Sequence, residues 1–299
     1  MKARLFALAA ALLAATFVTA AAAQQPAPTP RELRLVVNIP AGRLHVYEGG
    51  TLTRNYPVSV GTHGHQTPAG QYRVSRVVWN PWWHPPEAAW AAKKKVTPPG
   101  PGNPMGRAKI FFKDPDYYIH GTPGSNEARL GRPVSHGCIR MRNADVMALA
   151  RLIHRYDPQG LSDAEANRLA GNPKETREVT LTTRIVTEVI YTVVEVQKGH
   201  LKVHPDVYGF ASADMHKRIN GALAANGVDT KKVNREVLNI FLKTARTQTS
   251  QIPLHVLTMP PKKVNVALSL TAPVELAIRV LPVQPVAEEV AALDVVATP

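Results

Sequence analysis

Residues 134–141 read Val134-Ser-His-Gly-Cys-Ile-Arg-Met141, and Cys138 within them is the single cysteine of a 299-residue chain. One thiol cannot form an internal disulfide, so an exported chain would carry it either as an intermolecular bridge or as a reactive group. A second stretch upstream, Ile119-His-Gly-Thr-Pro123, adds His120 to the His136 that already precedes the cysteine. Two nearby histidines favour the reactive thiol.

The first residues of the chain predict export. Lys2 and Arg4 form a basic n-region, Leu5 to Ala20 form an apolar h-region, and Ala21-Ala22-Ala23 fits the small-residue pattern of a cleavage site. We therefore expect a signal peptide that is removed near residue 23. The apolar run is short and rich in alanine for a spanning helix, which needs about 20 strongly apolar residues, so we expect no membrane span after cleavage.

The charge balance points away from one class of partner. The chain has 36 Lys and Arg residues against 22 Asp and Glu residues, which gives a formal net charge of +14 at pH 7. An exported protein without a recognisable nucleic-acid motif is a poor candidate for binding nucleic acid. A basic surface suits carboxylate-rich or phosphate-rich envelope polymers, although a solvated basic face with no specific partner explains the charge equally well.

Alternating apolar residues separated by Gly and Pro turns predict a meander of short antiparallel strands. A strand-like segment from Ile110 to Ile119 leads into His120, so we expect this histidine at the end of a strand. A β-rich stretch returns later, with Lys198-Gly199 as a hairpin turn. The other predicted strands lie at residues 33–39, 44–47, 52–60, 71–78, 179–203, 264–270 and 274–280.

Helices are predicted after the cysteine. Asn143 is a good N-cap residue, and the apolar residues that follow it at helical spacing predict an amphipathic helix. Ser162 and Glu165 have the capping-box spacing for a second short helix that ends at Gly171. The apolar face of the first helix comprises Val146, Leu149, Ala150 and Ile153, and two further helices are predicted at residues 213–226 and 229–245.

Residues 79–109 contain all four tryptophans and many prolines. Prolines exclude long regular structure, and tryptophans argue against disorder, so we expect an ordered flap over a functional site. A structural cover whose tryptophans fill the core is an equally good interpretation. Lys93, Lys94 and Lys95 within this stretch are expected on a solvated edge.

A cysteine nucleophile needs a base and an environment that favours its thiolate. Cys138 precedes the predicted amphipathic helix, whose N-terminal dipole favours an anion, and Arg140 and Arg142 add positive charge. His120 is the candidate base. Because Gly121 has no side chain, its backbone carbonyl is the candidate group that orients the imidazole. The flexible backbone at the glycine before the cysteine makes the amides of residues 136–138 candidates for an oxyanion hole.

The two quoted stretches resemble the signature of the L,D-transpeptidase catalytic domain, the YkuD family. That signature is a His, a gap, and then Ser or Thr followed by His-Gly-Cys, and the gap is matched here. The resemblance covers roughly residues 31–155 and continues to about residue 209; residues 66–70 and 98–106 also fit it. Many members have Ser at the position of Gly121 and Asn at the position of Arg140, so the chain departs from the pattern at these two sites.

The resemblance implies a periplasmic enzyme that acts on peptidoglycan stem peptides, with no cofactor and no metal. Cys138 attacks the carbonyl between the third stem residue, usually meso-diaminopimelate, and the terminal D-alanine, which leaves a thioester. An amine of a second stem peptide, or of an envelope protein, then takes the acyl group. The implied site comprises the base His120 and its orienting Gly121, the site-lining residues Ser135, His136 and Gly137 with oxyanion amides at Gly137 and Cys138, and the substrate-binding residues Arg140, Trp82 and Trp83.

Several alternatives stay open on the sequence. An inert, buried Cys138 makes both histidine motifs accidental. A zinc site with His120, His136 and Cys138 as ligands is a sharper rival. The rival functions are a hydrolase of the same fold, in which water resolves the thioester, and a non-catalytic wall-binding protein. His63 and His65 are expected to be exposed loop residues.

The proposed pair also predicts how activity depends on pH. His120 must accept a proton and Cys138 must lose one, so we expect a rate that responds to pH between roughly 5 and 8. His154, on the predicted amphipathic helix, is expected to be structural.

The expected fold is mainly β: a YkuD-like L,D-transpeptidase β-sandwich with short helices, followed by an α/β C-terminal extension. The chain is expected to divide into a signal peptide over residues 1–23, a linker over residues 24–30, a catalytic domain over residues 31–209 with its core motif region at 31–155, and an extension of unassigned role over residues 210–299.

Overall fold

The computed structural model describes residues 32–259, and most of its regular elements are strands. The strands are β1 (Leu33–Asn38), β2 (Arg43–Glu48), β3 (Thr51–Pro57), β4 (Val60–Gly61), β5 (Gly70–Trp79), β6 (Ala108–Lys113), β7 (Tyr117–Thr122), β8 (Pro133–Ser135), β9 (Ile139–Arg142), β10 (Arg177–Ile190), β11 (Val194–Gln197), β12 (His200–Val203) and β13 (Ser250–Pro253). The helices are α1 (Asn143–Arg155), α2 (Asp163–Gly171), α3 (Met215–Ala225), α4 (Arg235–Thr244) and α5 (Leu254–Leu257).

Eight strands form one large mixed sheet in the order β3-β2-β1-β10-β5-β6-β7-β9. Neighbouring strands are antiparallel except for β1 with β10 and β7 with β9, which run parallel. The prediction of a mainly β domain with short helices is confirmed. The expected antiparallel meander is correct only for β1 to β3, because β10 is inserted between β1 and β5. Periodicity identifies a strand but does not say which distant strand will pair with it.

The segment expected to be a single strand from Ile110 to Ile119 is a hairpin. Strands β6 and β7 pair antiparallel, with Lys109 opposite His120. The chain turns at Asp114-Pro115, since a proline cannot donate a hydrogen bond to a central ladder. His120 consequently lies within β7 and not at a strand end, which corrects the prediction and places its side chain beside that of Lys109.

Helix α1 packs against β6, β7 and β9 and closes one side of the main core. The prediction that Asn143 caps this helix is wrong. Arg142 occupies the cap position without a side-chain hydrogen bond, and Asn143 Oδ1 instead accepts the Arg107 N–H at 2.9 Å. The predicted capping box of α2 at Ser162 is confirmed. So is the buried face of α1, formed by Val146, Leu149, Ala150 and Ile153.

Trp79 and His154 form a buried polar pair in this core. The indole Nε1–H of Trp79 donates to His154 Nε2 at 3.0 Å. Burial lowers the pKa of His154 to about 4, so the ring is a neutral acceptor at physiological pH. The structural role expected of His154 is confirmed.

Residues 80–107 form an ordered loop between β5 and β6, with one short 3₁₀ turn at Ala89–Ala91. Asn103 is buried and ties the loop together, because its side-chain amide donates to three loop carbonyls at 2.8 to 3.1 Å. The two interpretations of the tryptophans both apply, to different residues. Trp79 fills the core at the end of β5, whereas Trp82, Trp83 and Trp90 line a cavity under the loop, and Lys93, Lys94 and Lys95 are exposed as predicted.

A second, smaller core is built after the large sheet. Strands β11, β12 and β13 form a three-stranded sheet that packs with α3 and α4. Lys198 and Gly199 close the β11–β12 hairpin as predicted, with φ of +48° and +75°. Helix α4 begins only at Arg235, later than expected, because the Asn234 side chain accepts hydrogen bonds from its first turn. This part of the chain is α/β, as predicted, and its core draws residues from both sides of residue 209.

Several predictions concern residues that the structure does not describe. The signal peptide, the linker and the hairpin over residues 264–280 lie outside residues 32–259. Within the described range, no helix combines the length and the apolar character needed to cross a bilayer.

Candidate active site

Parallel pairing of β9 with β7 brings the two motif segments together. The register places Arg140 beside His120, so Cys138, two residues earlier, lies next to β7. On the other side of β7, Lys109 is opposite His120. These four side chains line one cavity of about 450 Å³ under the tryptophan loop. The sheet pairing therefore assembles a thiol, an imidazole and two cationic groups at a single place.

His120 is fixed by the residue that follows it. Its side chain is buried, and Nδ1 lies 2.6 Å from the Gly121 carbonyl oxygen. A carbonyl only accepts, so Nδ1 carries the hydrogen and Nε2 is left as the acceptor. Burial, and then the Arg140 charge, lower the pKa of His120 to about 3, against the opposing effect of the Gly121 hydrogen bond. The imidazole is therefore neutral at physiological pH. The Gly121 carbonyl orients it through this hydrogen bond, as the sequence analysis expected.

Cys138 is partly exposed, and its Sγ lies 3.6 Å from the Asp116 carbonyl oxygen. Burial raises the pKa of this thiol, while the Tyr118 backbone N–H, Lys109 and Arg140 act in the opposite direction. The net rise differs from the expectation that the surroundings favour the thiolate. The free site consequently holds a neutral thiol and a neutral imidazole, and not a thiolate–imidazolium pair.

The helix dipole does not contribute at the thiol in the way that was predicted. The four residues of β9 separate Cys138 from α1, about 13 Å of extended chain at 3.3 Å per residue, and the dipole effect falls off within one turn. Arg142 is exposed and lies 3.7 Å from Glu127. The cations that do favour the thiolate are Lys109 and Arg140.

The loop before Cys138 is braced by its own serine. Ser135 Oγ donates to the Cys138 carbonyl at 2.5 Å and accepts the Gly137 N–H at 3.1 Å. Gly137 has a φ of +110°, and a Cβ there would lie 2.8 Å from the Tyr117 ring, so a glycine is required. The expected use of the Gly137 amide in an oxyanion hole does not fit, because Ser135 already takes its hydrogen. Ser135 and Gly137 therefore stabilise the loop. The Cys138 N–H is the remaining candidate donor for an oxyanion hole.

His136 lies at the rim of the cavity. Its ring is stacked on Trp90, with centroids 4.1 Å apart, and its centroid is 4.7 Å from that of His65. Burial, and then His65, lower the pKa of His136. The structure therefore places His136 at the site as expected. It also adds His65, which is exposed, as predicted, but belongs to the same rim.

Lys109 is the site residue that the sequence analysis missed. Its Nζ lies 3.7 Å from the centroid of the Tyr118 ring and 4.5 Å from that of Phe111. Burial lowers the pKa of Lys109 to about 8. The turn at Asp114-Pro115 was the available signal, because a hairpin there places Lys109 opposite the candidate base.

The loop supplies aromatic side chains to the cavity that these cations line. Trp83 is held by two backbone hydrogen bonds with Thr97, each 2.9 Å long, and it is only partly exposed. Trp82 is 49% exposed. Both line the cavity, so their predicted role in substrate binding is compatible with their positions.

The zinc alternative finds no ligand set. Within residues 32–259, no group of three or more His, Cys, Asp or Glu side chains is placed to hold a metal ion.

The segment that carries these residues matches a known family. The family model described as "L,D-transpeptidase catalytic domain", YkuD, matches residues 32–181, which is half of the chain. The chain belongs to the YkuD family. The matched YkuD domain includes His120 and Cys138 and ends within β10, so the rest of that strand and the second core lie beyond it.

Named relatives carry the same family description. The YkuD-family chain is 33% identical over 120 residues to the putative L,D-transpeptidase YkuD of Bacillus licheniformis, which covers 40% of this chain and 59% of the relative. It is 36% identical over 124 residues to the probable L,D-transpeptidase YbiS of Escherichia coli K12. That match covers 38% of this chain and 40% of the relative. The chain thus matches less than two thirds of the length of these relatives.

Solved L,D-transpeptidase structures overlap with about half of this YkuD-family chain. An L,D-transpeptidase from Mycobacterium smegmatis is 16% identical, with 54% of this chain and 59% of that chain covered and a TM-score of 0.34. The catalytic domain of the Enterococcus faecium L,D-transpeptidase is 13% identical. The match covers 54% of this chain and 98% of that domain, with the same TM-score of 0.34.

Gly121 has a second role that is specific to the packing of this YkuD domain. A Cβ at this position would lie 2.2 Å from Asn143 Oδ1 and 3.2 Å from Gly106 Cα. The Asn143 side chain, which accepts the Arg107 N–H and does not cap α1, therefore occupies the space that a larger residue at 121 would need. The packing therefore suits glycine and not the serine that the resemblance led us to expect at this position.

Gly121→Ser is expected to destabilise the protein by about 2 kcal/mol, because an added group in a packed core forces its neighbours to move. The measurement is the free energy of unfolding in urea. Asn143→Ala combined with Gly121→Ser removes the closest contact and should recover part of the loss. An unchanged unfolding midpoint in the single variant would contradict this packing argument.

Proposed function

We propose that this chain is a cysteine-nucleophile acyltransferase, an L,D-transpeptidase that joins peptidoglycan stem peptides to one another or to an envelope protein. The observation that carries the proposal is the pair of Cys138 and His120 in one cavity, with His120 Nδ1 fixed on the Gly121 carbonyl. This leaves Nε2 as a proton acceptor for the thiol. Membership of the YkuD family supports the reaction class.

Acylation begins when His120 Nε2 accepts the Cys138 proton as Sγ bonds to the carbonyl carbon of the third stem residue. The carbonyl π electrons move to oxygen, and the oxyanion is stabilised by the Cys138 N–H. The carbonyl then re-forms as the bond to the D-alanine nitrogen breaks, and His120 returns its proton to that nitrogen. The products are a thioester on Cys138 and free D-alanine.

Transfer to the acceptor reverses these roles. His120 Nε2 accepts a proton from the acceptor amine as the nitrogen attacks the thioester carbonyl. The C–S bond then breaks, and the proton passes to the sulfur, which restores the Cys138 thiol. A base that is neutral before each step suits both halves of the reaction.

Two cations give the cavity its substrate preference. Lys109 and Arg140 line the cavity beside the reacting pair, and a donor stem with a free carboxylate complements them. Its negative charge also offsets the Arg140 charge that depresses the pKa of His120. Binding of such a donor therefore makes His120 a stronger base at the moment when Cys138 must lose its proton.

The pH dependence that follows differs from the first expectation. With a pKa of about 3, His120 is neutral throughout pH 5 to 8 and adds no acid limb there. Lys109, with a pKa of about 8, is charged below that pH and loses its charge above it. We expect kcat/KM to be level between about pH 5 and 7 and to fall through pH 8 as the carboxylate loses its partner.

Lys109→Arg tests this assignment, because a guanidinium stays charged far above pH 8. The fall in kcat/KM should move upward by more than one pH unit in this variant, and Lys109→Met should lower kcat/KM at pH 7 by about 10-fold and remove the fall. Steady-state kinetics from pH 5 to 10 measure both. A fall that keeps its position in Lys109→Arg assigns the titration to another group.

The identity of the acceptor separates the proposal from hydrolysis by the same fold. Purified protein incubated with tetrapeptide muropeptides and an amine acceptor should yield cross-linked dimers together with free D-alanine. Because Cys138 is partly exposed, water could also resolve the thioester, which makes a carboxypeptidase or amidase the alternative outcome. Shortened monomers without any dimer would assign the protein to that hydrolase class.

We place this activity in the periplasm, on the strength of the basic and apolar N-terminal segment with its small-residue cleavage pattern. Cell fractionation and N-terminal sequencing of the mature protein test this. A protein that keeps residue 1 and stays in the cytoplasm would contradict it.

A further inference from the structure

Tyr208 lies beyond the residues that match the YkuD family, in the segment between β12 and α3. Its side chain is nevertheless 3% exposed and belongs to the main core of the large sheet. The phenol hydroxyl donates to the Gly61 carbonyl at 2.9 Å and accepts the Thr67 N–H at 3.0 Å. A residue outside the family domain is thus hydrogen-bonded to backbone inside it.

Thr67 links Tyr208 to the loop that precedes Cys138. Its Oγ1 accepts the Gly61 N–H at 2.9 Å and donates to the Gly137 carbonyl at 2.8 Å. A hydroxyl carries one hydrogen, so each bond in this chain has a fixed direction, and neither hydroxyl has a hydrogen left for another partner. Both side chains are buried, which makes the loss of any one bond costly.

The Gly137 carbonyl belongs to the same peptide unit as the Cys138 N–H. That unit is planar and trans, so its C=O and N–H point in opposite directions. By holding the carbonyl oxygen, Thr67 fixes the direction of the Cys138 N–H, which is the oxyanion-hole donor left after Ser135 takes the Gly137 N–H. The hydrogen bond to the carbonyl also polarises the N–H.

The far end of the chain of contacts is anchored as well. The Tyr208 N–H donates to Tyr191 Oη at 2.7 Å, and Tyr191 Oη donates to Asp206 Oδ1 at 2.7 Å. The other carboxylate oxygen accepts the Ala211 N–H at 2.9 Å and the Ser212 hydroxyl at 2.6 Å. The turn that leads into α3 therefore fixes the position of the Tyr208 hydroxyl.

We propose that Tyr208 is a positioning residue, which acts through Thr67 on the peptide between Gly137 and Cys138 and so aims the oxyanion-hole N–H. The kinetic part of this inference rests on the proposed acyl transfer, but the geometry does not. It makes the segment after β12 a part of the catalytic apparatus, although the family match ends before it.

Two reactions of the Cys138 thiol separate this role from a merely structural one. Acylation by p-nitrophenyl acetate passes through an oxyanion and needs the aimed N–H, whereas alkylation by iodoacetamide displaces iodide and forms no oxyanion. In Tyr208→Phe, we expect the acylation rate to fall about 10- to 100-fold, since an oxyanion-hole donor is worth about 10²- to 10³-fold. The alkylation rate should stay within about twofold of the wild-type rate.

Matched variants complete the test. Thr67→Val should lower the acylation rate as Tyr208→Phe does, whereas Thr67→Ser, which keeps the hydroxyl, should retain the wild-type rate. Adding Tyr208→Phe to Thr67→Val should lower the rate little further, because the two residues act in series. Tyr156→Phe is the control, since it removes a tyrosine hydrogen bond to Glu48 at the other end of the sheet. It should lower stability without changing the ratio of the two rates.

The relative rates of acylation and alkylation decide whether Tyr208 has the positioning role. Acylation and alkylation falling together in Tyr208→Phe, or neither falling, would overturn the positioning role. A selective fall in acylation supports it, even if the wild-type protein forms no cross-linked muropeptides. That last result would instead overturn the proposed function, so the two failures are distinguishable.

Discussion

Cys138→Ala is expected to lower D-alanine release from tetrapeptide muropeptides by at least about 10⁴-fold, because removal of a nucleophile leaves only binding and oxyanion stabilisation. The thioester should also disappear from the intact-mass spectrum. The substitution removes one sulfur from a partly exposed position, so the unfolding midpoint should change little, and binding of muropeptides should be retained.

This variant also separates the enzyme from a non-catalytic wall-binding protein. Complementation of a deletion strain by Cys138→Ala, with a normal muropeptide profile, would show that the thiol is not needed and would sink the catalytic proposal. Cys138→Ser is the matched variant of closest shape. It should be equally inactive in turnover, since a serine hydroxyl is a far weaker acid than a thiol and His120 is a weak base in the free site.

His120→Asn is expected to lower kcat by about 10³-fold, within the range for loss of a general base. The Asn side-chain amide can still donate to the Gly121 carbonyl, so the variant removes the proton acceptor while it keeps the hydrogen bond between residues 120 and 121. KM should change by less than about threefold, because His120 touches the reacting proton and the two cations hold the substrate.

A matched histidine variant guards against general effects of the substitution. His216→Asn changes an exposed residue of α3, outside the cavity, and should keep the wild-type kcat. Equal kcat values for His120→Asn and the wild type would remove His120 from the mechanism. Thermal unfolding of all three proteins shows whether a low kcat reflects lost chemistry or a lost fold.

The chemistry-bearing residues were predictable because their signals are local. A lone cysteine beside a glycine, with a histidine on a neighbouring strand-like segment, has few structural explanations. The orienting role of the Gly121 carbonyl could be inferred for the same reason, since its one-residue separation from His120 leaves little geometric freedom. The amphipathic face of α1 and the capping box of α2 are also determined within a few residues of sequence.

Lys109 and Asn143 show where local reasoning fails. Lys109 reaches the site only because the turn at Asp114-Pro115 folds β6 onto β7. Asn143 is of a residue type that is favoured at helix N-caps. Its side-chain oxygen nevertheless accepts a hydrogen bond from the Arg107 N–H, which is distant in sequence. Both outcomes depend on which segments become neighbours, and a single sequence carries no direct record of that pairing.

The sequence by itself determined that this protein has one candidate nucleophile, one candidate base and a mainly β frame. The tertiary structure decided their protonation states and their support. The pKa values of His120 and Cys138 depend on burial and on the charges that surround them, and the Cys138 N–H is aimed by Thr67 and Tyr208. These properties arise from contacts between distant segments, and such contacts exist only after the strands have paired.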